Sequence, residues 1–114
     1  MRDELKKKKC VPCESTQDPF DEAKIKVYMP ALTMEWKVVD GKKIRLEYKG
    51  KNFMDCIALI NKIAELAENE GHHPDLFLHD YKFLTLELMT HNIDGLSEND
   101  FIEAVKIEDI LNQA

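Results

Sequence analysis

The fold is decided by residues 36–69, WKVVDGKKIRLEYKGKNFMDCIALINKIAELAEN. Residues 42–49 alternate apolar and polar side chains with the period of two that is typical of a half-buried strand. The dipeptide Asp40-Gly41 before them accepts the positive φ angles of a tight hairpin turn, so residues 35–40 and 42–49 are predicted to pair as two strands. After Gly50 the apolar residues follow the period of a helix. The apolar face of the second strand consists of Ile44, Leu46 and Tyr48.

A long helix is predicted from about Phe53 to about Asn69. Gly71 suits its C-terminal cap, and Pro74 prevents it from continuing. The helix carries an apolar stripe that we expect to pack on the sheet. This stripe consists of Phe53, Ile57, Ile60, Ala64 and Ala67, and it is widened by Cys56 and Ile63.

Outside this stretch, a short helix is predicted over residues 20–29, with Asp18-Pro19 at its start and Pro30 at its end. Residues 75–79 and 83–90 have the alternation of strands. Ser97 and Asp100 resemble a capping box that begins a final helix. The order α-β-β-α-β-β-α predicts an α+β fold, with a four-stranded antiparallel sheet and helices packed on one face.

The chain of 114 residues is long enough for one ordinary domain. Residues 1–17 are predicted to be a flexible basic leader, because they lack apolar periodicity, and residues 18–114 to form a single domain. Five of the 16 basic residues lie in the first nine positions, so residues 10–114 carry 11 basic and 20 acidic side chains. Such an acidic body disfavours direct nucleic-acid binding.

The apolar runs are too short to span a bilayer, and no secretory signal precedes them, so we expect no membrane partner and a cytoplasmic location. The lysine run near the N-terminus leaves nuclear import open. Three cysteines, Cys10, Cys13 and Cys56, do not support a disulfide framework. Cys10-Val-Pro-Cys13 lacks the second ligand pair of a zinc site, and we interpret it as a structural or incidental pair in a mobile leader.

All four histidines, His72, His73, His79 and His91, fall within 20 residues. Histidines titrate near neutral pH, so two of them beside one ligand are able to give and take protons. Glu68 lies four residues before His72 and is expected to reach its ring. His91 is expected at the end of a strand, facing away from the helices. We predict no metal site, because adjacent His72 and His73 do not readily face one ion.

The spacing of these residues resembles the signature of the pterin-4a-carbinolamine dehydratases. Glu68-x3-His72-His73-Pro74 is followed after six residues by Tyr81, after nine more by His91, and after eight more by Asp100. Two departures affect the expected pocket rim: Asp75-Leu76 stands where many members have an acid followed by tryptophan, and one extra residue lies between Pro74 and Tyr81.

This resemblance implies a hydro-lyase that removes water from 4a-hydroxytetrahydrobiopterin and yields quinonoid dihydropterin, in tetrahydrobiopterin recycling, without a cofactor. It implies proton transfer by His72 and His91, substrate orientation by His73 with acid or base help as a further catalytic role, and positioning of His72 by Glu68. The acid and the base among the histidines stay open. Asp100 and Tyr81 are further candidates for substrate binding, although Asp100 is expected to cap the last helix and Tyr81 to pack.

Two other functions remain open at this level. Some relatives act as dimerisation cofactors of a homeodomain transcription factor, and an exposed apolar stripe on the long helix would favour that role. Other relatives are linked to folate or molybdopterin metabolism. The resemblance also implies a homodimer or a homotetramer, which exposed apolar residues such as Phe83 and Met89 would support.

Overall fold

The structure is a computed structural model that describes residues 1–113. It contains four α-helices and four β-strands within those residues. In chain order they are α1 (Arg2–Lys7), α2 (Glu22–Tyr28), β1 (Lys37–Val39), β2 (Lys43–Lys49), α3 (Phe53–Glu70), β3 (Asp75–His79), β4 (Phe83–Leu88) and α4 (Glu98–Asn112). Short 3₁₀ turns cover Met29–Ala31 and His91–Ile93.

The four strands form one antiparallel sheet in the order β1-β2-β4-β3. Asp40 and Gly41 both adopt positive φ angles, of 55° and 67°, in the turn between β1 and β2. In the central pair, Leu46 lies opposite Leu86, so the apolar faces of β2 and β4 coincide. The predicted α+β fold, with an antiparallel four-stranded sheet and helices, is confirmed.

The core lies between the sheet and helices α3 and α4. The leucines of β4 and Ile44 and Leu46 of β2 are almost completely buried, and Phe101 and Ile107 of α4 pack in the same cluster. Burying each such side chain contributes about 1.5–3 kcal/mol. The sheet residues of this cluster are Ile44, Leu46, Leu84, Leu86 and Leu88.

Helix α3 buries only one side of the predicted stripe. Its buried residues are Cys56, Ile63 and Ala67, which were predicted, and Leu59, which was not. The neighbouring stripe of Phe53, Ile57, Ile60 and Ala64, which we call the α3 flank, stays exposed or half-buried. The two stripes lie on adjacent sides of a helix that is apolar over a wide arc, so periodicity alone did not distinguish them.

The helix ends follow local chemistry. Gly71 adopts φ 68° at the cap of α3, as predicted. Ser97 and Asp100 form the predicted capping box, with each side chain accepting from the backbone N–H of the other residue. The start of α2 is capped by Asp21, whose side chain accepts from the Lys24 N–H, rather than by Asp18.

The prediction of a flexible leader over residues 1–17 is wrong for its first part. Residues 2–7 form helix α1, and Leu5 is buried against α4. Arg2 forms an ion pair with the buried carboxylate of Glu108. One apolar residue and one arginine are too few to produce a periodic signal, so only their tertiary partners reveal the helix.

The carboxylate of Glu108 joins the N-terminal helix to the rest of the protein. It accepts hydrogen bonds from the backbone N–H groups of Thr33 and Met34, at 3.0 and 2.8 Å, and from Trp36 Nε1, at 3.0 Å. Burial alone raises the pKa of this carboxyl, but these donors and Arg2 outweigh it, so the pKa lies below its usual value.

Replacing Leu5 with alanine is expected to lower the free energy of unfolding by about 2–3 kcal/mol, because it leaves a cavity beside α4. Denaturant titration measures this change. Val11→Ala, which truncates an exposed residue nearby, is the control and should change stability by less than about 0.5 kcal/mol. Equal stability of Leu5→Ala and wild type would show that α1 does not dock in solution.

No helix among residues 1–113 is both long enough and apolar enough to cross a membrane.

Candidate active site

A cleft of about 420 Å³ opens where the end of α3, the turn after β4 and the start of α4 meet the N-terminal segment. Its volume lies within the range of about 300–1,000 Å³ that is typical of small-molecule sites. Three of the four histidines line it. The residues that line the cleft include Cys10, Val11, Pro12, Cys13, Glu70, His72, His73, Met89, Thr90, His91 and Asn99.

A larger groove of about 690 Å³ lies between α2 and the β1–β2 turn. Its walls are largely aliphatic, with Glu22 and Lys26 at the rim, and they contain neither histidine nor cysteine. Of these two cavities, the smaller cleft is therefore the one that imidazole and thiol groups line.

His72 is paired with Asp100. Its Nε2–H donates to Asp100 Oδ1 at 2.6 Å, and its side chain is only 11% exposed. The prediction that Glu68 positions His72 is therefore wrong. Gly71 turns the chain out of α3 with a left-handed conformation, so the i,i+4 relation with Glu68 is lost and His72 faces the start of α4 instead.

The pKa of His72 is raised above its ordinary value. Burial acts to lower this pKa, but the hydrogen bond to Asp100 and the negative charges of Asp100, Glu103 and Glu70 outweigh it. The imidazolium form is thus stabilised by a fixed carboxylate, an arrangement that suits a proton donor at neutral pH.

Asp100 is completely buried, and the hydrogen bonds of its carboxylate all go to other residues of the protein. Besides His72, it accepts from Thr90 Oγ1 and from the Ser97 N–H, both at 2.9 Å. It therefore braces the cleft and caps α4, and its predicted contact with substrate is incompatible with this structure. Its hydrogen bond to His72 makes it a positioning residue.

His73 is paired with Glu68, the partner predicted for its neighbour. Both side chains are largely exposed, so the pair contributes little to stability. Its effect is on orientation, because the carboxylate holds one ring nitrogen and leaves the other for a ligand in the cleft. The adjacent histidines thus have separate acidic partners, one buried and one at the rim.

His91 lies in the 3₁₀ turn that follows β4, because the strand ends at Leu88 rather than at the predicted residue 90. The prediction from strand alternation, that His91 faces away from the helices, therefore does not apply. The ring lines the cleft, and its side chain forms no hydrogen bond to any part of residues 1–113. It is the cleft histidine without a carboxylate partner.

Tyr81 does not line the cleft. It lies 60% exposed in the β3–β4 turn, where Asp80 and Tyr81 both have positive φ, at the opposite end of these strands from His73 and His91. The structure therefore does not bring Tyr81 together with His72, His73 and His91. His79 lies beside the same turn, where its ring bonds to Thr85 Oγ1 at 3.1 Å.

Glu103 is a residue of this region that was not predicted from the sequence. It lies one turn after Asp100 on α4 and is fully buried, and neither carboxylate oxygen has a hydrogen-bond partner among residues 1–113. Burial raises its pKa to about 8; His72 opposes this shift, while Glu70 and Asp100 add to it. A signal was present in the sequence, since Glu103 interrupts the apolar run from Phe101 to Val105.

The pair Cys10 and Cys13 is not in a mobile leader, contrary to prediction. Cys10 is buried and its Sγ–H donates to the carbonyl of Asn99, while Cys13 is half-buried near Ser97. Burial, together with the charges of Glu103 and Glu70, strongly raises the pKa of the Cys10 thiol. Within residues 1–113, no three His, Cys, Asp or Glu side chains are placed to hold a metal ion.

Comparison with known proteins agrees with this geometry. The profile of the family described as Pterin 4 alpha carbinolamine dehydratase matches residues 18–110. The chain therefore belongs to the pterin-4α-carbinolamine dehydratase family.

Two relatives, both with the name "Putative pterin-4-alpha-carbinolamine dehydratase", come from Alkaliphilus metalliredigens and Rickettsia bellii. Each is 43% identical to this chain; the alignments cover 91% and 95% of it, and 93% and 95% of the respective relatives. A crystal structure of a transcriptional coactivator/pterin dehydratase from Brucella melitensis is similar to this one, with a TM-score of 0.74 and 30% identity. That match covers 82% of this chain and 98% of the other.

Proposed function

We propose that this protein dehydrates 4a-hydroxytetrahydrobiopterin to quinonoid dihydropterin by histidine acid–base catalysis. The observation that carries the proposal is the buried His72–Asp100 pair, which presents a stabilised imidazolium to a cleft lined by two further histidines. Membership of the family supports the same reaction. The reaction places the protein after an aromatic amino acid hydroxylase in pterin recycling, and a cytoplasmic location would suit that task.

The reaction needs one proton donor and one proton acceptor. The C4a hydroxyl leaves as water once it is protonated, and the loss of the N5 proton lets the C4a–N5 double bond form. His72 is suited to be the donor, because Asp100 favours its charged form. His91 has no carboxylate partner and is suited to accept the N5 proton, while His73, held by Glu68, orients the ring.

The direct test is the rate at which freshly generated 4a-hydroxytetrahydrobiopterin loses water with the purified protein. We expect a rate well above that of buffer alone, and a fall of about 10²-fold or more in His91→Ala. A wild-type rate equal to that of buffer would refute the dehydratase proposal. Full activity in His91→Ala would leave the proposed reaction intact but show that His91 takes no part in it.

The α3 flank supports a second function, as an interaction surface. Phe53 is 47% exposed at one end of this apolar stripe, and Ile57 and Ile60 are only half-buried. An apolar helix face of this kind suits a partner helix, either from a second copy in a homodimer or homotetramer or from a transcription factor. The Brucella melitensis protein is itself described as a coactivator.

Replacing Ile57 with glutamate is expected to dissociate such an assembly, because it places a charge in the apolar contact. Sedimentation equilibrium measures the molecular mass, which should fall to that of one chain. Lys62→Glu, on an exposed part of the same helix, is the control. A wild-type protein that already sediments as a monomer would contradict the self-association proposal.

A further inference from the structure

One wall of the cleft is built by residues 10–13, which lie outside the part of the chain that matches the family profile. All four residues of this segment, Cys10, Val11, Pro12 and Cys13, line the cleft together with His72, His73 and His91. Val11 and Pro12 are apolar, and burial raises the pKa of the Cys10 thiol, which keeps it uncharged at neutral pH. The wall is therefore mainly apolar.

The segment is held in place by side chains that form hydrogen bonds with its backbone. The Val11 N–H donates to Asn99 Oδ1 at 3.1 Å, and Asn99 Nδ2 donates to the Val11 carbonyl at 2.6 Å. At the two ends, the Cys10 N–H donates to Glu70 Oε1 at 2.8 Å, and Asn92 Nδ2 donates to the Cys13 carbonyl at 3.1 Å. Four hydrogen bonds thus fix four residues that have no regular secondary structure.

These bonds couple the segment to the proposed catalytic pair. Asn99 is 6% exposed and immediately precedes Asp100, which holds His72. The first turn of α4 therefore positions both the histidine and the wall beside it. A segment with only a structural role would not need to be positioned by the same helical turn that positions the proton donor.

We propose that residues 10–13 form the substrate-contacting wall of the cleft, on which an uncharged pterin packs, and that this wall determines how tightly the pterin is bound. The inference rests on the proposed function, because the ligand is the pterin of that reaction. The wall supplies apolar contact and the histidines supply hydrogen bonds, which is the division of roles usual in small-molecule sites. An uncharged wall also suits a substrate that carries no phosphate.

Cys13 permits a test that does not depend on turnover. It is half-buried in the cleft, whereas Cys10 and Cys56 are buried and serve as internal controls. We would measure the rate of Cys13 alkylation by iodoacetamide with mass spectrometry, with and without 7,8-dihydrobiopterin. At a concentration ten times the dissociation constant, which a separate titration provides, the alkylation rate should fall about tenfold.

A kinetic comparison tests whether the wall sets affinity. Val11→Asp places a charge in the wall, and Val38→Asp places the same charge on an exposed residue of β1 as the matched control. We expect KM to rise about tenfold in Val11→Asp with kcat changed less than about threefold, and no change in Val38→Asp. Val11→Ala, which removes apolar contact but adds no charge, should raise KM by less than Val11→Asp does.

The outcomes separate this inference from the proposed function. Binding of dihydrobiopterin without protection of Cys13, or an unchanged KM in Val11→Asp, would overturn the role of the wall while leaving the dehydratase intact. Protection of Cys13 in a protein that shows no dehydration would support the wall and refute the reaction. Failure of dihydrobiopterin to bind, together with an absence of dehydration, would overturn both.

Discussion

Replacing His72 with alanine is expected to lower kcat for dehydration of the carbinolamine by about 10²–10⁴-fold, the usual contribution of a positioned general acid. The substitution removes an imidazole that is fixed by a buried carboxylate. His79→Ala is the matched control, because His79 lies at the opposite end of the sheet and should retain activity within about threefold. Stopped-flow absorbance of the pterin provides the measurement, and circular dichroism checks the fold.

The pH profile tests the mechanism behind that loss. The protonated form of His72 is the active one in this proposal, so activity should persist as pH rises and fall only as pH passes the raised pKa of His72. Asp100→Asn keeps the shape but removes the charge that raises this pKa. We expect the alkaline limb of the activity profile of this variant to move to lower pH, toward the ordinary histidine pKa of about 6.5. An unmoved limb would show that His72 is not the group titrating.

Replacing Glu103 with leucine is expected to increase the free energy of unfolding, and to increase it more at high pH. The pKa of Glu103 is about 8 in the folded protein, against an ordinary value of 4.5, so between these values the folded chain retains a proton that the unfolded chain has lost. The stability from this proton is fully present below pH 4.5 and is lost as pH rises to about 8. At about pH 9 the ionised Glu103 lowers the free energy of unfolding by on the order of 5 kcal/mol, compared with its protonated form below pH 4.5.

Two variants separate the cost of burying the charge from the cost of the unpaired oxygens. Glu103→Leu removes both, so its gain should be about 1–3 kcal/mol near pH 4.5 and several kcal/mol near pH 9. Glu103→Gln removes only the titration and should flatten the pH dependence without the gain at low pH. Urea unfolding at a series of pH values measures both. A gain for Glu103→Leu that is equal at low and high pH would contradict the raised pKa.

Burial is the main reason why the charge of Glu103 is costly, and the negative charges of Asp100 and Glu70 add to this cost. His72 and, to a smaller extent, Lys106 oppose it. Ionisation of Glu103 would in turn hold the proton on His72 more firmly. The leucine variant should therefore also shift the alkaline limb of the activity profile slightly toward lower pH.

Much of the fold was determined by short-range patterns. The alternation in residues 42–49, the turn at Asp40-Gly41 and the cap at Gly71 predicted the elements near their observed places. Each of these features depends on residues within a few positions of one another, where backbone sterics and side-chain period are sufficient. The capping box of Ser97 and Asp100 belongs to the same class.

The pairing of the site residues was decided only by tertiary structure. Local spacing assigned Glu68 to His72, whereas a left-handed Gly71 redirected His72 to Asp100, 28 residues away. Spacing along the chain constrains a helix but says nothing about which distant side chain faces a residue once the helix has ended. The sequence by itself therefore identified the candidate histidines, whereas tertiary packing determined their hydrogen-bond partners.

The N-terminal segment shows the same division. Its composition alone predicted a flexible leader, since it has no periodic apolar face, but Asn99 and Glu70 bind its backbone and Leu5 anchors the helix before it. Hydrogen bonds to backbone atoms leave almost no trace in the sequence of the segment that is held. By itself the sequence determined the family, the sheet and the candidate histidines; the cleft wall and the charges that raise the pKa of His72 arose only where α4 brought distant residues together.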